Sequence, residues 1–278
     1  MKQFLLKAPP DRDGLVRISG EDFHYLVHVR RLKAGDRFTA RLPQGALKVE
    51  VRSVEDGILT AAVMGGAADG QAGDCSGPEG GTEGRGLAGD RGVPPILLFQ
   101  ALPKGSKMDL IVRQAAEGAL SEVVPFAAER SVPALGGQGG GEKVRRWERI
   151  IREALQQSGS PVPTALHRPL DGDGLFAYWE ELKAAHPGAL GILFHQEDVP
   201  LVQSNLHGYL STGPELLALA VGPEGGFSPA EVGRFISAGF RPYKMGAAVL
   251  RVETAALYGA AAARIILLEG ESWIQRPR

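Results

Sequence analysis

The sequence has very little of the chemistry that cross-links a protein or anchors it in a membrane. Its 278 residues contain one cysteine, Cys75, which excludes an intrachain disulfide and fits a reducing compartment. No apolar run approaches the ~20 residues of a membrane span. The opening MKQFLLKAPPDRD has neither the apolar length nor the small-residue cleavage site of a signal peptide. The sequence therefore predicts a cytoplasmic protein that is not bound to a membrane.

Excess charge of one sign is also missing, since the formal net charge is −1. Positive charge is concentrated locally: residues 1–64 carry eleven Lys and Arg against eight Asp and Glu, and a second basic run, KVRRWERIIR, occupies 143–152. Both runs are compatible with a solvated surface or with an RNA-facing patch, because nucleic-acid binding needs only local positive potential.

The spacing of His24, His28 and His195 does not fit a metal site, and no metal is predicted.

The chain divides by composition into three parts. Residues 1–64 contain four short strand-like segments (LVRI, RFTARL, ALKVEVRSV and GILTAAVM), which predict a small β-barrel or sandwich. A short helix ended by Gly35 is expected between the first two. Residues 65–92 include eleven glycines among 28 residues and almost no large apolar side chain, so we interpret them as a flexible linker or insertion.

From residue 93 onward, apolar strand-like segments alternate with segments of helical periodicity. PPILLFQAL, EVVPFAAE, GALGILFH and ELLALAV are predicted strands. Helices are predicted in MDLIVRQAAEGAL, GEKVRRWERIIREALQQSG, DGLFAYWEELKAAH, SPAEVGRFISAGF and ETAALYGAAAARIILLE, with Trp147 on the buried face of the second. Strands separated by helices of this length indicate an α/β domain with a mostly parallel sheet over 93–278.

The pentapeptide GPEGG occurs twice, at 77–81 and at 222–226. The second copy follows an apolar strand and precedes Ser228-Pro229-Ala230-Glu231, the pattern of a capped helix start. Glycines at such a turn let the backbone approach a ligand at the carboxyl edge of the sheet, although a tight turn alone would also explain them. The Walker and dinucleotide-binding patterns are both missing, and Glu224 would repel a polyphosphate.

A second loop follows, in KMGAAVLRVETAALYG at 244–259. Gly246 is placed for a tight turn, and Arg251 directly precedes a long helix rich in small residues, which permit close approach of the sheet or of a second copy of the chain. Arg251 is a candidate functional residue, with an ordinary surface arginine as the alternative.

Together, GPEGGFSPAEV and LRVETAALYG resemble the C-terminal signature of the RsmE family, methyltransferases that modify N3 of a uridine in small-subunit (16S) ribosomal RNA. ALPKGSKMD, WERIIREALQQSGSPVPT and HYLVHVRRLKAGD resemble further parts of that family, so the resemblance covers everything outside 65–92. The first GPEGG has no strand, capped helix or partner loop beside it, and we interpret it as incidental.

The resemblance implies a SPOUT-type methyltransferase domain with a C-terminal trefoil knot and a parallel sheet, preceded by a PUA-like β-barrel that binds RNA, and acting as a homodimer. It also implies S-adenosylmethionine as cofactor. The expected cofactor-binding residues are Phe194, Leu219, Val221, Gly222, Pro223, Glu224, Gly225, Gly226, Met245, Gly246, Val249 and Leu250.

Arg251 and Glu224 are the expected catalytic residues. Arg251 is suited to stabilising negative charge on the uracil or to gripping a phosphate, and Glu224 to acting as a base or orienting its loop. The expected RNA-binding residues are Arg30, Arg31, Lys33, Arg37, Lys104 and Lys107, and the expected partner is small-subunit ribosomal RNA or the assembled subunit.

The sequence departs from the family pattern where Gln3, Ser160 and Ala248 replace expected arginines. Two alternatives therefore remain open at this point. One is a SPOUT methyltransferase acting on another RNA position, and the other is a catalytically silent RNA-binding assembly protein.

Overall fold

The computed structural model describes residues 3–42, 45–64, 92–131, 139–197 and 205–270. They form two compact units, one from 1–86 with 156–159 and the other from 87–155 with 160–278. The predicted linker at 65–92 and the first GPEGG lie outside the described residues, except for Gly92.

The first unit is a five-stranded sheet in the order β1-β3-β4-β5-β2. Its strands are β1 Phe4–Leu5, β2 Leu15–Ser19, β3 Arg37–Leu42, β4 Gly45–Glu55 and β5 Ile58–Val63. All four segments predicted as strands are confirmed. In β4, Val49 and Val51 are buried while Lys48 and Arg52 are exposed, as alternation requires.

The helix expected to end at Gly35 stops earlier. Helix α1 covers Gly20–His24 and continues as a π-helical turn over Tyr25–Val29. Arg31 then adopts φ +59°, and the Leu32 amide donates to the Leu26 carbonyl at 3.0 Å, which closes the helical segment. The prediction was wrong because a non-glycine residue supplies the left-handed turn, and Gly35 belongs to the approach to β3.

The second unit is built on a six-stranded sheet in the order β11-β9-β10-β6-β7-β8, with all pairs parallel. Its strands are β6 Ile96–Ala101, β7 Glu122–Phe126, β8 Ala165–Leu166, β9 Ala189–Phe194, β10 Leu216–Val221 and β11 Arg241–Tyr243. Its helices are α2 Lys107–Glu117, α3 Gly139–Ser158, α4 Gly172–Ala185, α5 Leu206–Leu210, α6 Pro229–Ser237 and α7 Val252–Glu269. The predicted parallel α/β domain is confirmed.

Helices cover both faces of this sheet. On one face, Phe99 of β6 packs in a single core with Trp179 of α4 and Phe235 of α6. On the other face, α7 packs against β6, β10 and α2. The small residues of α7 serve this contact: Ala256, Ala260 and Ala263 are buried.

Gly259 shows why one of these small residues must be glycine. A Cβ atom placed there would lie 2.2 Å from the ring of Phe194 at the end of β9. The ring can therefore pack directly on the α7 backbone.

Trp147 is buried on α3, as predicted. The trefoil knot implied by the resemblance stays a prediction.

The parallel strands all end at one edge of the sheet, so the segments after β6, β9, β10 and β11 gather there. None of the helices in the described part of the chain combines the length and the apolar character needed to span a membrane.

Candidate active site

A cavity of about 370 Å³ lies at the carboxyl edge of the parallel sheet. Its walls come from the end of β9, the loop 222–227 between β10 and α6, and the loop 244–250 between β11 and α7. We call these two segments the first loop and the second loop. The volume lies within the range of small-molecule sites, which is roughly 300–1,000 Å³.

The first loop is fixed at its far end by the start of α6. Ser228 accepts a hydrogen bond from the Glu231 amide (3.2 Å), and the Glu231 carboxylate accepts one from the Ser228 amide (2.9 Å), so the predicted capping box is present. Glu231 also accepts from the Glu129 amide at 2.8 Å, which ties the start of α6 to the segment after β7. Gly226 adopts φ +65° within the loop, a conformation that favours glycine.

The carboxylate of Glu224, at the centre of the first loop, accepts hydrogen bonds on both of its oxygens. It accepts from the Lys107 ammonium at 2.6 Å and from the Lys104 amide at 3.0 Å and 3.2 Å. Burial by itself raises the pKa of Glu224. The hydrogen bonds from the Lys107 side chain and from the amides of Glu224 and Lys104 outweigh that effect and lower its pKa below the usual value. The carboxylate is therefore ionised at neutral pH, and it is a weak proton acceptor.

Arg130, in the segment after β7, holds the same loop from another side. One terminal nitrogen of its guanidinium donates to the Gly225 carbonyl at 2.9 Å and to the Phe227 carbonyl at 3.5 Å. A Cβ atom at Gly225 would lie 3.3 Å from the Cβ of Arg130, so the arginine stem packs closely over this glycine. The first loop is thus bonded on two sides before any ligand binds.

The second loop is different. Within the described residues, the backbone and side chains of 246–250 take part in no hydrogen bond or ion pair. Gly246 adopts φ +89°, and Val249 is 74% exposed. The N–H and C=O groups of this loop are therefore available to a ligand in the cavity.

Arg251 directly follows the second loop and precedes α7. It is exposed, lines the cavity and makes no ion pair with any described residue. One carboxylate oxygen of Glu253, in the first turn of α7, is buried without a hydrogen-bond partner among the described residues. Arg251 is thus a cation directed at the cavity wall that the fold itself does not use.

His195 follows β9 and lines the cavity between the two loops. Its amide donates to the Tyr243 carbonyl at 3.1 Å, which joins the end of β9 to the end of β11. Burial lowers the pKa of His195, and the nearby Glu197 carboxylate opposes this shift only in part. The imidazole is therefore neutral at neutral pH.

The structure brings most of the expected site residues together. Those that line the cavity are Phe194, Val221, Gly222, Pro223, Glu224, Gly225, Gly226, Met245, Gly246, Val249, Leu250 and Arg251, together with Lys107. Leu219 does not line it, because it lies fully buried in the middle of β10. Lys107 is paired with Glu224, whereas the side chain of Lys104 is exposed.

The remaining expected RNA-binding residues lie in the first unit. Arg30 and Arg31 follow the π-helical turn and are exposed, and the Lys33 amide donates to the Asp36 carboxylate at 2.8 Å. Arg37 forms an ion pair with Glu50 at 3.0 Å. Because the Arg37 side chain is largely exposed, this pair contributes little to stability.

Two family descriptions match the chain: "RNA methyltransferase domain" over residues 91–264 and "RNA methyltransferase PUA domain" over residues 18–45. The Bacillus subtilis protein named ribosomal RNA small subunit methyltransferase E is 30% identical over 259 residues, covering 88% of each chain. This chain belongs to the RsmE family. Its Mycobacterium bovis namesake is 27% identical over 258 residues, which are 91% of this chain and 87% of that one.

Solved structures agree with the fold of an RsmE protein. The crystal structure of ribosomal RNA small subunit methyltransferase E from Neisseria gonorrhoeae bound to S-adenosyl methionine matches with a TM-score of 0.72 at 20% identity, covering 96% of this chain and 98% of that one. A putative methyltransferase from Legionella pneumophila, also with S-adenosylmethionine bound, matches with a TM-score of 0.72 at 22% identity, covering 95% and 97%.

Arg130, His195 and Glu197 also line the cavity and were not among the expected site residues. His195 ends the predicted strand GALGILFH and Glu197 lies two residues later, and that position at the sheet edge was the available signal. Arg130 gave no such signal, because it reaches the first loop across 95 residues of sequence. No group of three or more His, Cys, Asp or Glu that could hold a metal ion is found among the described residues.

Proposed function

We propose that this protein transfers a methyl group from S-adenosylmethionine to N3 of a specific uridine in 16S ribosomal RNA. The observation that carries the proposal is the cavity in which the GPEGG loop and the LRVET segment of an RsmE-family chain meet. The name of the Bacillus subtilis relative supports the small-subunit RNA as substrate, and the cofactor bound to the Neisseria gonorrhoeae protein supports S-adenosylmethionine.

The residues in the cavity fit this cofactor. Glycine at 222, 225, 226 and 246 lets the backbone come close to a ligand, and the unbonded N–H and C=O groups of 246–250 can pair with the polar edge of an adenine. Phe194, Met245 and Leu250 supply apolar surface for the adenosine. Glu197 is a cavity carboxylate with no ion pair among the described residues, which suits a ligand that carries positive charge.

S-adenosylmethionine supplies an electrophilic methyl group. The residues of the chain must then place N3 of the uridine in line with that group and remove its proton. Loss of the proton spreads negative charge over N3, O2 and O4 of the uracil. The free guanidinium of Arg251 is placed at the cavity wall to stabilise this charge.

His195 is our candidate for accepting the N3 proton, since its imidazole is neutral and faces the cavity. Glu224 is assigned a positioning role instead. Its three hydrogen bonds leave the carboxylate with a lowered pKa, while they fix the loop that holds the cofactor. Arg130 supports the same loop through two carbonyls.

The RNA would be held by exposed cations outside the cavity. Arg30, Arg31, Lys33 and Arg37 of the first unit and Lys104 beside the site remain our candidates, with residues 1–64 acting as a PUA-like RNA-binding domain. Lys107 acts through Glu224 rather than through the RNA. A ribosomal substrate implies that the protein works in the cytoplasm.

We also propose that the protein is a homodimer. Helices α2 and α7 border an apolar groove of about 220 Å³, and on α7 Leu257, Ile265 and Leu268 are 40%, 53% and 52% exposed. The Gln114 side-chain oxygen beside the groove is buried and has no hydrogen-bond partner among the described residues. A second copy of α7 would cover this apolar surface.

Light scattering after size exclusion tests the dimer. Ile265→Lys should convert a dimer of the parent protein into a monomer, whereas Ile58→Lys, at an exposed apolar residue of the first unit, should leave the mass unchanged. A monomeric parent protein, or a dimeric Ile265→Lys variant, would contradict the proposal.

Label transfer tests the function itself. The protein, labelled S-adenosylmethionine and ribosomal subunits that lack the modification are incubated, and small- and large-subunit RNA are counted separately. Label confined to small-subunit RNA is expected. Label in large-subunit RNA would overturn the substrate, and cofactor binding without any transfer would favour a silent assembly protein.

A further inference from the structure

We propose that the outer face of α3 binds the phosphate backbone of the RNA substrate, in addition to the first unit. The contact surface consists of Arg145, Arg149 and Arg152, which we call the arginine stripe. The proposal rests on the proposed function, because it assumes that RNA is the substrate. It accounts for the basic run at 143–152, which the cavity does not use.

The three arginines lie on one line of the helix. At about 100° and 1.5 Å per residue, positions 145, 149 and 152 fall within an arc of roughly 60° and extend over roughly 10 Å along the axis. Trp147 and Ala154 project from the opposite side and are buried at 5% exposure each. The stripe is therefore directed into solvent, away from the side by which α3 is packed.

The stripe is not neutralised by the fold. None of its three guanidinium groups forms an ion pair or a hydrogen bond with a described residue, and all three side chains are exposed. Arg146 beside them is different, since it pairs with Asp109 at the start of α2. Glu148 and Glu153 flank the stripe but do not pair with it in the described chain.

The stripe begins close to the candidate active site. Arg146 is adjacent to Arg145 and reaches Asp109 in the first turn of α2. Two residues earlier, Lys107 reaches Glu224 in the cavity wall. Arg145 thus lies near the sheet edge where the cavity opens, so RNA entering the cavity can continue along α3.

The chemistry of the stripe fits phosphates better than a protein surface. The exposed residues of 141–153 are charged apart from Gly141, and no exposed apolar side chain is present to anchor a protein partner. Arginine presents a planar fork of donors that matches phosphate oxygens. A row of such groups suits a polymer with regularly spaced negative charges.

The salt dependence of RNA binding tests the stripe. Small-subunit ribosomal RNA is titrated with the parent protein and with Arg149→Gln, Arg145→Gln/Arg149→Gln and the triple variant that adds Arg152→Gln, between about 50 and 200 mM salt. Each lost phosphate contact should reduce the slope of log K against log salt by about 0.7 on single-stranded RNA, and the double variant should bind about 10-fold more weakly near physiological salt.

A matched control removes the same charge elsewhere. Arg241 is an exposed residue of the second unit at the start of β11, away from the edge that carries the cavity, and like the stripe it forms no ion pair with a described residue. The Arg241→Gln variant should retain the slope of the parent protein, in contrast to Arg149→Gln. Equal slope changes in Arg241→Gln and Arg149→Gln would show a general charge effect and overturn the proposal.

The outcomes separate this proposal from the function on which it rests. The stripe variants should keep the melting temperature and the S-adenosylmethionine affinity of the parent protein, because their side chains contact neither the core nor the cavity. Parent-level slopes in all stripe variants, with methyl transfer intact, would overturn the stripe alone. Absence of cofactor binding and transfer in the parent protein would overturn the function whatever the slopes.

Discussion

The two loops of the cavity are built in opposite ways. The first loop is fastened to the rest of the unit by the Lys107–Glu224 ion pair, by Arg130 and by the capping box of α6. The second loop has no hydrogen bond over 246–250 within the described chain, and the free cation Arg251 directly follows it. The proposed cofactor site thus has one preformed wall and one wall whose backbone groups are not engaged by the fold.

Replacing Arg251 should have the largest effect on activity. Arg251→Ala removes the cation that we propose stabilises the uracil charge, and loss of one such group lowers the rate by about 10²–10³-fold. Because Arg251 is exposed and makes no ion pair in the described structure, the melting temperature should not change. Single-turnover methyl transfer measures the effect.

Arg251→Lys is the control for that prediction. It keeps the charge but not the planar fork, so it should recover part of the rate. Parent-level transfer by Arg251→Ala would remove Arg251 from the mechanism and the second loop from the chemical step.

Replacing His195, between the loops, should have the next largest effect. His195→Gln removes the proposed proton acceptor, and general-base catalysis contributes on the order of 10²-fold or more. In the parent protein, transfer should fall as the pH drops through the folded-state pKa of His195, which lies below the ordinary histidine value of about 6.5, because protonation then removes the acceptor. In the variant this limb of the pH–rate profile should be missing.

The stability of the fold should also decline as the pH falls. A histidine with a lowered pKa binds fewer protons in the folded state than in the unfolded state, so stability declines as the pH falls from about 6.5 toward the folded pKa. A pH–rate profile of methyl transfer by His195→Gln that retains the acid limb would exclude His195 as the proton acceptor.

Substitutions in the first loop should weaken cofactor binding and leave the methyl-transfer step itself unchanged. Glu224→Gln removes an ion pair and weakens the remaining hydrogen bonds, and losses of this kind correspond to about a 10-fold rise in the cofactor dissociation constant. Calorimetry with S-adenosylmethionine measures it. A double-mutant cycle with Lys107→Met should show that the two residues are coupled.

Glu224 also makes the stability of the fold depend on pH. Its pKa is lowered in the fold, so its contribution to stability is present above about 4.5, the ordinary value, and is lost as the pH falls through the folded pKa. Independent effects of Glu224→Gln and Lys107→Met, adding without coupling, would contradict the view of a fastened first loop.

Gly246 in the second loop should give the smallest effect. Gly246→Ala places a side chain at φ +89° with open space around it, so only backbone strain of roughly 1–2 kcal/mol opposes the change. We expect cofactor affinity to fall about 5-fold. Gly233→Ala, in the interior of α6 and also in open space, should leave binding unchanged. Equal binding by both variants would show that the second loop needs no left-handed turn.

The sequence predicted what local patterns determine. The parallel sheet, the capped start of α6 and the loop at 222–226 follow from apolar periodicity and capping chemistry over a few residues. Most of the cavity wall was named from the resemblance to the RsmE family, whose signature segments lie beside predicted strand and helix ends.

The rest depended on contacts between distant parts of the chain. Leu219 was expected in the cofactor site but points into the core, because a strand interior next to a binding loop is buried on both faces. The roles of Lys107 and Arg130 required knowing that the segments after β6 and β7 lie beside the first loop. The end of α1 was misplaced because Arg31 adopts a conformation that sequence patterns assign to glycine.

The most direct test of the account is the identity of the methylated nucleoside. Small-subunit RNA labelled by this protein is digested to nucleosides and separated by chromatography with mass detection. The account predicts that all of the label is in 3-methyluridine. Label in a base methylated at carbon or in a ribose-methylated nucleoside would contradict it, because neither reaction proceeds through the uracil N3 anion that Arg251 is proposed to stabilise.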